Sequence, residues 1–246
     1  MAFVKTDSRH YENIASKIRE KTGTTTQYKP AEMQTGIDEV YEAGKKAEYD
    51  AFWYALKSNP VIVNSSGVFA GSIWNDTTFN PPKKLTIKDN CNYAFYNNGC
   101  TSIVDKIERI VPTGITSLFQ YSNLKYLCPI DLSNSSGGAF AFSSQNIVSI
   151  PKIIVHANVE WYVNVFQNAS ALEYVVFEGE IGKNGLNLRW STKLSKESIV
   201  SIINALSITT SGLSVTLSQT AKENAFTDEE WATLVATKPN WTISLA

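Results

Sequence analysis

Residues 141–153 read AFSSQNIVSIPKI. Phe142 is followed by a polar stretch and then by isoleucines five, eight and eleven positions on, at Ile147, Ile150 and Ile153. The same offsets recur upstream: Phe119 precedes Leu124, Leu127 and Ile130, and Phe95 precedes Cys100 and Ile103. Phe166 comes at the same step with its apolar partners displaced by one, at Leu172 and Val175. The four phenylalanines stand 24, 23 and 24 residues apart. A unit this short cannot bury both faces of its apolar stripe, whereas stacked copies bury a shared column. The spacing therefore predicts phenylalanine on phenylalanine, then Cys100, Leu124 and Ile147 in a second column, and Ile103, Leu127 and Ile150 in a third. The pieces 124–130 and 147–153 are expected to be strands of a parallel ladder, one per unit. The polar residues after each Phe are expected to form turns.

The array is bracketed by segments of another character. Asp7 or Ser8 can cap a helix running to Arg19–Lys21, with Gly23 at the C′ position. Pro30 suits a helix N1 position, and residues 31–57 hold good helix formers. Met33, Ile37, Val40, Gly44, Ala47, Ala51 and Tyr54 follow the alternating four–three step of a coiled-coil seam; the alternative is an amphipathic helix packed on its own chain. Asn59-Pro60 ends this leader. Val61–Val63 and Val68–Ile73 read as short strands, and Asn80-Pro81-Pro82 as a break. After the array, residues 186–190 alternate as a strand, and Ser195 caps a helix from Lys196 to Leu206. Leu213–Leu217 is a second strand. Thr227-Asp228-Glu229-Glu230 is a capping box opening a helix to about Thr237, and Trp241–Leu245 closes as a third strand. The expected architecture is α+β: a helical leader (1–59) for attachment or oligomerisation, a short leucine-rich-repeat-like solenoid with a parallel β ladder (60–185), and a C-terminal cap of strand–helix units (186–246).

Composition narrows the function classes. Net charge is −1, so no global field draws the chain to nucleic acid or anionic lipid. Charged residues are 18% of the chain, below the usual quarter, and Ser, Thr and Asn take their place, as in extracellular and virion proteins. Cys91, Cys100 and Cys128 form no CxxC pair and no disulfide framework, and read as small core residues. The N-terminal run lacks the apolar region of a signal peptide, and nothing is long and apolar enough to span a membrane. The expectation is folding in the cytoplasm where the chain is made.

The Ala94-Phe95 and Ala141-Phe142 pairs, with Cys100 five positions after Phe95, resemble BspA-type leucine-rich repeats of bacterial surface proteins and phages. Leu118 and Val165 replace the alanine in the other two units. The stretches Ile18–Gly23, Tyr28–Met33 and Gly44–Trp53 are similar to leaders of tail-associated proteins in phages and prophages of Gram-positive gut bacteria. That resemblance implies a virion component, a tail fibre or receptor-binding protein with a helical leader and a variable distal domain. It carries over no catalytic residue. By analogy with phage fibres it implies a homotrimer, attached through its leader to other tail or baseplate proteins.

Catalytic chemistry has little to rest on. His10 and His156 have no Cys, Asp or Ser at a motif spacing, no GxGxxG, P-loop or HExxH is present, and Gly137-Gly138 reads as a turn. No cofactor or metal is expected. Glu178 and Glu180 are two apart in one expected strand and would share a face. Asp131, one unit away, could approach them to form a glycosidase pair, which needs a separation of about 5 Å, or about 6.5–9.5 Å. Binding has more support. Tyr96, Tyr121, Trp161, Tyr162 and Trp190 accompany amides at Asn97, Asn123 and Asn168. Aromatic faces stack on sugar rings while amides bond hydroxyls, and the same inventory suits a protein epitope; Trp161 and Trp190 could equally be packing residues. The leading expectation is a non-enzymatic phage tail protein that binds a host surface glycan or protein. The alternatives are a baseplate or head-decoration protein, a surface adhesin and a glycan depolymerase.

Overall fold

The computed structural model of the chain describes residues 61–64, 67–162 and 164–246, together with Ser16, Glu20 and Lys21, which are helical. The chain divides between Asn59 and Pro60 into two units. The expected helix 31–57 and its seam, Met33, Ile37, Val40, Gly44, Ala47, Ala51 and Tyr54, lie outside the described residues.

The second unit combines parallel sheets with helices. In chain order its strands are β1 (Val61–Asn64), β2 (Leu85–Asn90), β3 (Ile107–Gly114), β4 (Ile130–Asp131), β5 (Gly137–Gly138), β6 (Ser149–Val155), β7 (Glu160–Trp161), β8 (Tyr174–Gly179), β9 (Asn187–Leu188), β10 (Leu213–Leu217) and β11 (Trp241–Leu245). Three helices complete it: α1 (Lys196–Ala205), α2 (Gln219–Ala225) and α3 (Asp228–Val235). The main sheet runs β1-β2-β3-β4-β6-β8, and each of its pairings is parallel. β9, β10 and β11 form a second parallel sheet, and β5 pairs with β7.

Parallel neighbours must be joined by a crossover, and the four crossovers from β2 to β8 each place one phenylalanine in a shared column. Phe95, Phe119, Phe142 and Phe166 are fully buried. Their rings stack at 5.5, 5.9 and 4.8 Å, with interplanar angles of 22°, 28° and 17°. The backbone is stitched at the same level. The N–H groups of Phe95, Phe119 and Phe142 donate to the carbonyls of Leu118, Ala141 and Val165 at 2.8–2.9 Å. Cys100, Leu124 and Ile147 are fully buried, as are Ile103, Leu127 and Ile150. Parallel bridges Ser102–Tyr126–Ser149 keep the latter set in register. On the sheet, Ile87, Ile110, Ile130, Ile153 and Phe177 form one buried row. Removing each such side chain from water contributes roughly 1.5–3 kcal/mol.

Several expectations are corrected. Residues 68–73 are not a strand but an earlier copy of the Phe turn: Phe69 donates to the Ala94 carbonyl at 2.9 Å and its ring lies 5.4 Å from Phe95. Positive φ at Gly67 (65°) and Gly71 (94°) turns the chain on both sides of it. The strand expected over 124–130 shrinks to β4 and the bridge at Tyr126, because Pro129 has no N–H to give a ladder. Gly137-Gly138 is not a turn but β5. A Cβ on Gly138 would sit 2.5 Å from the Thr116 nitrogen, so only glycine allows the backbones to approach this closely. The strand expected over 186–190 is confined to Asn187–Leu188, since the Asn187 side chain accepts from the Arg189 N–H and turns the chain. α2 was not anticipated; its Ser218 cap accepts from the Ala221 N–H.

The edge strand β8 is covered by α1. Ser198 Oγ accepts from the Val175 N–H at 2.9 Å, and Ser201 Oγ accepts from the Phe177 N–H at 2.7 Å. These hydroxyls take the place of a next strand and satisfy an edge that would otherwise be open. The Thr227 capping box of α3 is present in both directions.

Candidate functional site

Two residues beyond the column phenylalanines the chain repeatedly adopts the left-handed conformation. φ is 94° at Gly71, 52° at Asn97, 60° at Tyr121 and 61° at Asn168. Glycine and asparagine enter this region readily, while a bulky aromatic does so at a cost. This row and the turn residues after it line one side of the stacked units.

A groove of about 440 Å³ opens there. Tyr121 and Asn123 come from one unit, Ser143 to Asn146 from the next, Asn168 and Ser170 from the third, and Trp190 from the segment after β9. One backbone carbonyl ties two of the lining side chains: Ser122 O accepts from Ser144 Oγ at 2.9 Å and from Asn146 Nδ2 at 3.0 Å. The lining offers amides, hydroxyls and two aromatic rings, and no charged side chain. Arg189 lies beside it with its guanidinium 4.0 Å from the Trp190 ring centre, a cation–π contact that occupies one ring face.

The structure thus brings Tyr121, Asn123, Asn168 and Trp190 together. Tyr96 is half-buried and meets Tyr121 edge-on at 5.6 Å, and Asn97 is exposed on the same turn. Trp161 is a correction: it is 4% exposed and packs edge-on against Phe177 at 5.9 Å, so it is a core residue, not a surface contact. A Cβ on Gly185 would lie 1.7 Å from the Trp161 carbonyl oxygen, which shows how tightly the next segment is laid over it. Tyr162 is 52% exposed and outside the groove lining. Ser143, Ser144, Gln145, Asn146 and Ser170 were not anticipated. Ser144, Asn146 and Ser170 stand at the same offsets from Phe142 and Phe166 as Tyr121 and Asn123 from Phe119, and that periodicity was the available signal; Ser143 and Gln145 fall between those offsets.

The carboxylates singled out from sequence do not form a set on one strand. Gly179, at φ 106°, ends β8 between Glu178 and Glu180, which breaks the expected alternation. Glu178 pairs with Lys152 at 2.5 Å, and Glu180 accepts from the Ser207 hydroxyl. Asp131 accepts from the N–H and hydroxyl of Ser133 at 3.0 and 2.5 Å. In register, Asp131 and Glu178 flank Ile154, two strand spacings or about 9.6 Å apart in backbone. His156 closes its own turn: Nδ1 accepts from the Asn158 N–H at 3.2 Å, which leaves Nε2 to donate to the Ser135 carbonyl at 3.2 Å.

Among the described residues, no three His, Cys, Asp or Glu side chains stand where they could hold a metal ion, and no helix is long and apolar enough to cross a membrane. Neither a protein-family model, nor a curated protein, nor a solved structure matches the chain.

Proposed function

We propose that this chain is a non-enzymatic phage virion protein, a tail-fibre or receptor-binding component whose repeats form a short leucine-rich-repeat-like solenoid facing the host cell. The observation that carries this reading is the groove itself. Successive units contribute residues at matching offsets to one shared surface, while the phenylalanine column holds them in register. The Ala-Phe repeats and the leader that resembles phage tail proteins support the virion assignment. In this reading the leader joins the chain to other tail or baseplate proteins and makes it a homotrimer, assembled in the host cytoplasm and carried in the tail. Trimerisation would couple weak sites by avidity.

The test is binding of fluorescently labelled full-length chain to Gram-positive gut isolates, with competition against phage adsorption. Saturable staining that blocks adsorption is expected. Failure to stain any isolate, with adsorption unaffected, would contradict the reading and leave a baseplate or head-decoration role.

A further inference from the structure

We propose that the groove and the tyrosines beside it form one extended track for an uncharged glycan chain, running across the stacked units from Trp190 to Tyr93. This rests on the host-facing reading of the surface.

Charge is the first argument. An anionic sugar is gripped by Arg or Lys through charge-assisted hydrogen bonds, and the groove lining holds neither. The neighbouring Arg189 is engaged with the Trp190 ring. The second argument is hydrogen-bonding capacity. Asn123, Gln145 and Asn168 are exposed, and their side chains make no hydrogen bond among the described residues. An amide both donates and accepts, as a sugar hydroxyl does.

The third argument is strain. Tyr121 sits at φ 60° and is 61% exposed. Along the same row Gly71, Asn97 and Asn168 are the residues this backbone favours. A tyrosine there costs stability and gains little burial, so its value lies in the ring it presents, and such strain concentrates at functional sites. Tyr93, on a second left-handed row two residues before the column phenylalanines, is at φ 57° and 44% exposed. The rings of Tyr93 and Tyr96 lie 5.8 Å apart and those of Tyr96 and Tyr121 5.6 Å apart, so an aromatic strip leaves the groove at Tyr121.

Extent is the fourth argument. The groove alone has the size of a small-ligand site, roughly 300–1,000 Å³. The units of Tyr96 and Asn168 are three strand spacings apart, about 14 Å, and Trp190 lines the groove with Asn168. A single sugar cannot reach both ends, whereas a chain of several rings can.

The probe is surface polysaccharide extracted from cells that the full-length chain stains, separated by anion exchange into uncharged and charged fractions. The chain should be retained by the uncharged fraction, more strongly by long fragments than by short ones, and periodate treatment should abolish retention. Tyr121→Asn and Trp190→Ala should each weaken retention by about tenfold or more. The asparagine variant should melt no lower than the parent, which separates a binding role from a structural one. Retention by the charged fraction only, staining that survives periodate, or parental affinity in Tyr121→Asn overturns the proposal while leaving the host-binding reading intact. Absence of staining on any isolate defeats both.

Discussion

Phe119 has a ring on either side, 5.5 Å and 5.9 Å away. Phe119→Ala opens a void in the middle of the column and should cost about 3–5 kcal/mol, measured as a fall in urea midpoint. Tyr162→Ala, on an exposed ring, should change stability by less than about 0.5 kcal/mol. Tyr121 carries the opposite sign: Tyr121→Asn relieves the left-handed backbone and should stabilise the fold by about 1 kcal/mol. The cysteines behave as core residues. Burial is the main cause that pushes the Cys91 thiol up to about 12, reinforced by Asp89, and the Cys100 thiol up to about 11; burial raises Cys128 as well. Thiolate is the reactive form. Iodoacetamide at pH 8 should therefore leave all three cysteines unmodified in the folded chain and alkylate them in urea, read by mass spectrometry.

At the scale of elements, α1 is the part most open to attack. Ser198→Ala and Ser201→Ala each leave a β8 N–H without its acceptor, at a cost of about 1–3 kcal/mol. Hydrogen exchange should show the loss first at Val175 and Phe177, and a uniform loss across the sheet would count against this role. Gly138→Ala should be more damaging still, since the new methyl would meet backbone and not a movable side chain. The phenylalanine offsets, the three buried columns and the caps at Ser195 and Thr227 were legible in the sequence because each follows from local spacing. The turn at 68–73 was not, because Val68-Phe69-Ala70 is as apolar as a strand, and the deciding glycines lie on either side of it. α2 escaped because two polar turns carry little periodicity. In the candidate site, Tyr121, Asn123, Asn168 and Trp190 were legible as aromatics accompanied by amides. Residues 143–146 were overlooked because no aromatic marks them. Trp161 was misplaced because ring size does not reveal which face of β7 is covered.

For the whole molecule, acid should weaken the fold at identifiable ties. Burial works against ionisation of Asp76, but hydrogen bonds from the Thr101 hydroxyl and N–H, with Lys106 nearby, hold its carboxyl below the usual range. Lys222 lowers Asp228, and Lys196 with the Thr227 N–H lowers Glu230. A carboxyl whose folded value is depressed contributes stability above its unfolded value and loses it as pH falls through the folded one. Stability should thus hold from neutrality to about pH 5 and decline below about pH 4, with a shallower decline in Asp76→Asn. The leader assignment predicts that full-length chain is trimeric by light scattering and that a chain starting at Pro60 is monomeric and folded. The central claim is that the column supports the fold while the row beside it binds the host. Its most direct test is staining of host cells by full-length parent and by the Tyr121→Asn variant, compared by melting temperature and circular dichroism. The account predicts saturable staining by the parent and loss of staining by the variant at undiminished stability; equal staining by the two would contradict it.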